Sequence, residues 1–266
     1  MASSIVPPEG ESLATGWEPD LAPADSLVRQ AVLAHASWVT EGARRAGKPW
    51  YDGDTWAGGF LGDRGPFTNL IVAKQPVDPA EVLAEVARRL PNNVPYLFVS
   101  PWPTRDLREH GLALVGHPPL MVRFPDATAT PPVTDLDVRQ VTDSAGLADA
   151  ERVFIEGYPV PELQPVETGV LYAATFLDGP TTVWVGYDGD VPLATAVAHN
   201  AAGVTVVENV AVMPAARGRR AGAALTWTAA THHDQPSVLL ASDDGQPVYQ
   251  RLSYLRIERW TVWIRP

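Results

Sequence analysis

The sequence contains no cysteine, which excludes a thiol nucleophile, thiolate metal ligands and disulfides. Lysine is nearly absent, with only Lys48 and Lys74 beside an abundance of arginine. Positive charge is in deficit overall: the net charge is −11, so nucleic acid, which rewards basic faces, is not an expected partner. No apolar run reaches the ~18–20 residues of a membrane span, so no membrane partner is expected. The opening Met-Ala-Ser-Ser has no basic, then apolar, leader pattern, and a cytoplasmic location is the expectation. No Gly-x-Ser-x-Gly elbow, Walker loop or zinc motif occurs. The adjacent His232 and His233 diverge on a helix, so no metal is expected. What the chain does have is core-forming material: 45% hydrophobic residues and nine tryptophans in 266 residues, with only 19% charged.

The pattern of elements predicts an α/β chain of two tandem modules, each a mixed, mostly antiparallel sheet flanked by helices. Residues 1–24, rich in Pro, Ser, Gly and Glu, are expected to form a loose arm. A first module spans 25–124, a linker 125–134 (Pro-Asp-Ala-Thr-Ala-Thr-Pro-Pro-Val-Thr) and a second module 135–266. In the first, Ser26 is positioned to cap a helix carrying Leu27, Ala31, Ala34 and Trp38 at helical spacing. Asp78-Pro79-Ala80-Glu81 opens another helix, and Leu120–Phe124 reads as the last strand. In the second, Asp188-Gly189-Asp190 and Ala201-Ala202-Gly203 join three alternating segments as hairpins. Glu162–Leu177 reads as helical and Thr261–Ile264 as a closing strand. A weak repeat links the modules: Tyr96–Ser100 and Val238–Ser242 are apolar strands ending in serine, each followed by a short helix closing at a small residue, Gly111 or Ser253.

The most informative segment is Val210–Leu225. An apolar strand, Val210-Ala211-Val212, enters a turn carrying Arg217, Gly218, Arg219, Arg220, Ala221, Gly222 and Ala223, and a helix follows. Cations at a helix N-terminus oppose the macrodipole, so three arginines there point to an anionic ligand. Exposed first-turn N–H groups suit phosphate oxygens, and Gly218 and Gly222 permit close approach. The corresponding helix of the first module is closed to phosphate by Asp78, Pro79 and Glu81. One ligand site per chain, in the second half, is expected.

The turn Arg217-Gly218-Arg219-Arg220-Ala221-Gly222 resembles the Arg/Gln-x-x-Gly-x-Gly/Ala signature of the GNAT superfamily of acetyl-CoA-dependent acyltransferases, with Arg220 where the family usually has glycine. The segment Ala241–Tyr254 is similar to the family's strand, turn and short helix, with Ser253-Tyr254 in place of Gly-Phe. The resemblance covers roughly 135–266; the first module reads as a degenerate GNAT-like unit, without cofactor, that walls the acceptor cleft. It implies acetyl-CoA or a related acyl-CoA as co-substrate and an amine, on a small molecule or peptide, as acceptor. It also implies direct transfer in a ternary complex. Tyr249 matches the tyrosine near the thioester sulfur. The main chain of Val210, Ala211 and Val212 matches the strand that splays to receive the pantetheine arm and to polarise the thioester carbonyl, with Ser242 at the end of the neighbouring strand.

Glu208 is the candidate general base. It is expected to share one strand face with Val206, Val210 and Val212, where partial burial raises a carboxyl pKa toward useful basicity. His199-Asn200 reads as a surface turn, with the border of the acceptor pocket as the alternative. Asp243-Asp244 reads as a strand breaker or an attractor of a cationic amine. The competing functional reading is a non-catalytic acyl-CoA-binding or regulatory module, supported by Arg220 and Ser253 in place of glycine. A hydrolase or decarboxylase on the same scaffold is the third.

Overall fold

The computed structural model describes residues 26–90, 94–158 and 160–266; the arm expected over residues 1–24 lies outside them. The chain opens with helix α1 (Leu27–Arg45), where the Ser26 hydroxyl accepts from the Arg29 N–H at 3.1 Å and Arg44 and Arg45 close the last turn. Strands β1 (Trp50–Asp52), β2 (Trp56–Phe60) and β3 (Asn69–Ala73) follow. Helix α2 (Pro79–Arg89), capped by Asp78, crosses back to β4 (Tyr96–Ser100), which lies parallel to β3. Strands β5 (Ala113–Gly116) and β6 (Pro119–Arg123) complete this half.

No helix or strand occurs between Arg123 and Asp137, the region of the expected linker. The second half contains β7 (Asp137–Gln140), α3 (Ser144–Gly157), β8 (Thr181–Asp188), β9 (Val191–Ala201) and β10 (Val204–Val212). Helix α4 (Ala221–Ala230) crosses to β11 (Ser237–Leu240), parallel to β10. A short helix α5 (Gln246–Arg251) and strands β12 (Leu255–Arg259) and β13 (Thr261–Arg265) end the chain.

The sheets run β1-β2-β3-β4-β13-β5 and β12-β6-β11-β10-β9-β8-β7. Each is antiparallel except for one parallel pair, β3–β4 or β10–β11, bridged by a helix. Beside that pair sits a strand from the other half. The segment expected as the last strand of the first module, β6, pairs between β11 and β12, and the closing β13 pairs between β4 and β5. The exchange corrects the sequence assignment of both strands. Its physical reason is local: only two residues, His117 and Pro118, separate β5 from β6, and only Trp260 separates β12 from β13. Hairpin links just as short, Gly189-Asp190 and Ala202-Gly203, turn back through left-handed backbone (φ 61° at Gly189, 50° at Ala202 and 79° at Gly203), which neither Pro118 nor Trp260 adopts, so each strand continues into the neighbouring sheet. The weak repeat acquires a geometric basis as well, since Gly111 and Ser253 both adopt left-handed backbone, φ 78° and 66°.

The expected helix over Glu162–Leu177 is absent. Short 3-10 turns at Pro161–Leu163 and Ala174–Asp178 replace it, because Pro161, Pro165 and the left-handed Gly169 (φ 84°) cannot sustain an α-helix. The buried Glu151 carboxylate of α3 holds this segment by accepting from the Gly169 and Leu171 N–H groups.

The largest core lies between the two sheets. It joins α1, β2 to β4 and β13 to α3 and β8 to β11. Helix α1 is the shared element: Gln30 donates to the Ala202 carbonyl, Ser37 meets His199 Nε2 at 2.9 Å, and Trp38 packs edge-on against His199. Its approach to β2 is so close that a Cβ on Gly59 would stand 1.9 Å from the Val39 carbonyl oxygen. Among the described residues, no helix is long and apolar enough to cross a membrane.

Trp263 of β13 is 4% exposed, faces Phe98 of β4 and donates to Thr104. Trp263→Ala is expected to cost ~3–5 kcal/mol in urea unfolding. Amide protection should fall first in β4 and β5, although the substitution lies near the C-terminus. A loss confined to β11 and β12 would contradict the exchange.

Candidate functional site

The site begins with a fault in β10. Glu208 pairs with Val197, and Ala211 with Thr195, so three steps on β10 match two on β9. The extra residue is taken up at Asn209, whose φ of 51° is the left-handed backbone that asparagine tolerates better than most residues. A bulge flips side-chain parity. Val206 and Ala211 therefore join the core between the sheets, while Val210 and Val212 pack beside α4. This corrects the expected single face: Glu208 shares its side with Val206 and Ala211, not with Val210 and Val212.

The bulge also bends β10 away from β11. Their ladder consists of Thr205–Ser237 and Val206–Val238 and then stops, although β10 continues to Val212. The two strands part where the sequence expects a splay. Main-chain groups of β10 beyond Val206 are left without a β11 partner. A cavity of about 660 Å³ opens at this fork, bounded by Glu208, Asn209, Leu240, Ser242 and Tyr249 on one side and by α1 and the first sheet on the other. Ligand sites of this size commonly lie where two structural units meet.

Glu208 faces this cavity with its side chain 25% exposed. Burial pushes its carboxyl up to about 7. His35 of α1 stands beside it, with Nε2 at 3.6 Å from Oε1. His35 Nδ1 lies 2.7 Å from the Ala31 carbonyl, which only accepts, so Nδ1 carries the proton and Nε2 presents a lone pair. Burial pushes His35 down to about 4, so the imidazole is neutral at pH 7 and the contact is not an ion pair. Among the described residues, Nε2 has no hydrogen-bond partner. A lone pair facing a carboxyl favours that carboxyl's protonated form, which suits a group that must receive a proton. The His35 ring rests on Trp260, the residue between the two exchanged strands, with centroids 4.8 Å apart.

Tyr249 of α5 lines the same cavity, and burial raises its phenol, which stays protonated at neutral pH. Ser242 is exposed and its hydroxyl accepts from the Gly245 N–H at 3.2 Å. That contact makes Ser242 a turn former; it still borders the cavity. Asp243 lines the cavity on its exposed edge. Three residues escaped the sequence reading. Tyr172 and Asn209 are joined by a 2.6 Å hydrogen bond that fixes the bulge, and His35 comes from the other half. The available signals were an asparagine inside an apolar strand and a histidine on the buried face of α1.

The arginine turn lies apart from the cavity, at the start of α4. The first intrahelical bond is Ala224 N–H to the Arg220 carbonyl, so Ala221, Gly222 and Ala223 hold the unpartnered first-turn N–H groups. No side chain caps this end, whereas Asp78 caps α2 by accepting from Ala80 N–H and also pairs with Arg105. The three arginines differ. Arg219 is committed to Asp135 and Asp188, both at 2.8 Å, so its guanidinium is not waiting for an anion, contrary to the sequence reading. Arg217 donates to the Gly157 carbonyl at 3.3 Å, its one bond among the described residues. Arg217 and Arg220 are exposed. Arg220 adopts φ 60°, the conformation a glycine would supply, and Gly218 has φ 81°. The turn therefore keeps its backbone shape despite Arg220, as Ser253 keeps its own.

His199 is neither a surface turn nor a pocket border. It is fully buried, bonded to Ser37 and Thr181, and burial pushes it down to about 4. It fastens α1 to the second sheet.

Comparison with known proteins agrees with this geometry. Residues 147–254 match the model of the acetyltransferase (GNAT) family. No curated protein matches the sequence. A GCN5-related N-acetyltransferase from Kribbella flavida superposes with a TM-score of 0.60 at 23% identity, covering 89% of this chain and 95% of that one. A GNAT-family acetyltransferase from Novosphingobium aromaticivorans gives 0.56 at 15% identity, over 88% and 97%. At these identities the likeness concerns the fold, and it extends over both halves.

A left-handed non-glycine residue costs ~1–3 kcal/mol. Arg220→Gly is expected to raise stability by ~1 kcal/mol in urea unfolding. A loss of stability would contradict the strain assigned to this turn.

Proposed function

We propose, for a chain whose residues 147–254 match the model of the acetyltransferase (GNAT) family, that it moves an acetyl or small acyl group from coenzyme A to an amine by direct transfer. One observation carries this reading: β10 and β11 separate after two residue pairs, and the fork opens onto a cavity that holds the partly buried carboxyl of Glu208.

The residues fit an acyl-CoA. The open N–H groups of Ala221, Gly222 and Ala223 suit a diphosphate, with Gly218 giving approach and the exposed Arg217 and Arg220 adding charge. Main-chain groups of Val210, Ala211 and Val212 suit an extended arm that binds as an added strand. An acyl-CoA supplies the activated thioester. Everything else falls to this chain's own groups.

Glu208 takes the proton from the attacking amine, directly or through one water. His35 Nε2 favours the protonated carboxyl that results. A β10 N–H steadies the oxyanion formed as nitrogen adds to the carbonyl carbon. Tyr249, still protonated, donates toward the departing sulfur as the carbon–sulfur bond breaks. With no cysteine in the chain, acyl transfer through a cysteine thioester is excluded.

The competing reading, a binding module without catalysis, drew on Arg220 and Ser253. Both occupy glycine-like backbone, so neither distorts the fold and that support weakens.

Glu208→Gln separates the readings. Acetyl-CoA should still raise the melting temperature of the variant, because the arginine turn is intact. Its kcat/KM with an amine acceptor should drop by about 10²-fold or more. The base must be ionised to act, so wild-type kcat/KM should rise with pH through about 7, and the variant should lose that limb. Unchanged turnover in Glu208→Gln would remove the residue from the mechanism. Thiol release absent with every amine, alongside coenzyme binding, would favour the module.

A further inference from the structure

An acetyl group fills only a small part of the space beside Glu208. The end of the 660 Å³ beside Val210, Leu240 and Ser242 belongs to the coenzyme arm; the part toward α1 and the first sheet belongs to whatever receives the acyl group, and its walls state what that is. The first half of the chain contributes Trp38, Leu61, Phe67, Leu70 and Val99, and the second adds Phe176. Thr68 on the same wall already donates to the Gly65 carbonyl at 2.6 Å. Polar groups gather at one end: Glu208 lies beside His35, Asn209 follows it in the strand, and Tyr158 and Tyr249 stand close enough to sense its charge. Elsewhere the charged lining residues are Asp243 and Arg259, both exposed on the rim, where His117 also stands. Arg259 donates to the His117 carbonyl.

We propose that the acceptor is a primary amine on an extended apolar body, aromatic or alkyl, which the first half of the chain selects. This deepens the transferase reading and rests on it. The amine must reach Glu208 to lose its proton, so the rest of the molecule lies along the apolar wall. Among the described lining residues, Glu208 and Asp243 are the only carboxylates. Asp243 stands on the exposed rim, so a polyamine or basic peptide lying along the apolar wall would bury its second charge without a partner. An apolar body meets no such penalty and gains from leaving water. The degenerate half thus acts as the specificity element, reaching the site through α1 and held in place by the strand exchange.

The test uses the full chain with saturating acetyl-CoA, reading thiol release. n-Alkylamines from propyl to octyl and 2-phenylethylamine are compared with spermidine and glycine. The expected result is a rise in kcat/KM of about fourfold per buried methylene, with spermidine and glycine the poorest acceptors. Leu61→Asp, at a partly exposed wall position, should lower kcat/KM for octylamine at least tenfold while the thermal shift with acetyl-CoA persists. Preference for spermidine or glycine would overturn the proposal. So would flat dependence on the amine with octanoyl-CoA preferred to acetyl-CoA, since the cavity would then hold the acyl chain. Calorimetric binding of octylamine without any turnover would keep the apolar acceptor site and sink the transferase reading instead. Neither binding nor turnover would sink both.

Discussion

A single extra residue in β10 sets the geometry on which the site depends. In an unbroken strand, Glu208 would stand over a closed sheet and β11 would cover the main chain of Val210–Val212. The left-handed turn at Asn209, tied to the Tyr172 hydroxyl, bends the strand instead. The ladder to β11 then ends at Val206 and backbone groups beyond it lose their partner. Unpaired backbone groups beside a cavity are costly unless something takes their hydrogen bonds, so the fork persists only because surrounding packing over-determines it. The same bend places the Glu208 carboxyl where burial pushes it up to about 7.

The second constraint is the reciprocal exchange of β6 and β13. Each sheet borrows the strand beside its parallel pair from the other half, so neither sheet is complete without both ends of the chain. Trp260 sits at one crossing, fully buried beneath His35. The exchange fixes α1 between the sheets, and α1 in turn supplies the histidine that faces Glu208. A half without the open phosphate-type turn is thereby made part of the site.

Local features were legible in the sequence because their causes are local. Ser26 and Asp78 announce helix starts, Asp188-Gly189-Asp190 a hairpin, and the arginine turn a helix left uncapped. The resemblance carried by Arg217–Gly222 extended this to the family fold. Features with distant causes were not legible. Nothing near Leu120 or Thr261 says which sheet will take them, since the partner strands lie more than a hundred residues away. The alternation Val206-x-Glu208-x-Val210-x-Val212 looks unbroken until one residue is assigned to a bulge. Arg219 looks free until Asp135 and Asp188 fold beside it. Strands β1, β5 and β12 were missed for another reason. They are short or have apolar residues such as Leu114, Val115, Leu255 and Ile257 facing solvent, so burial leaves no pattern to read.

The account stands or falls on whether the gap between β10 and β11 is a binding surface. A crystal structure of the chain with coenzyme A tests this most directly. The predicted result is the pantetheine arm hydrogen-bonded to the main chain of Val210–Val212, with the diphosphate at the N–H groups of Ala221–Ala223. Coenzyme bound elsewhere, or β10 and β11 closed together with the arm excluded, would contradict it.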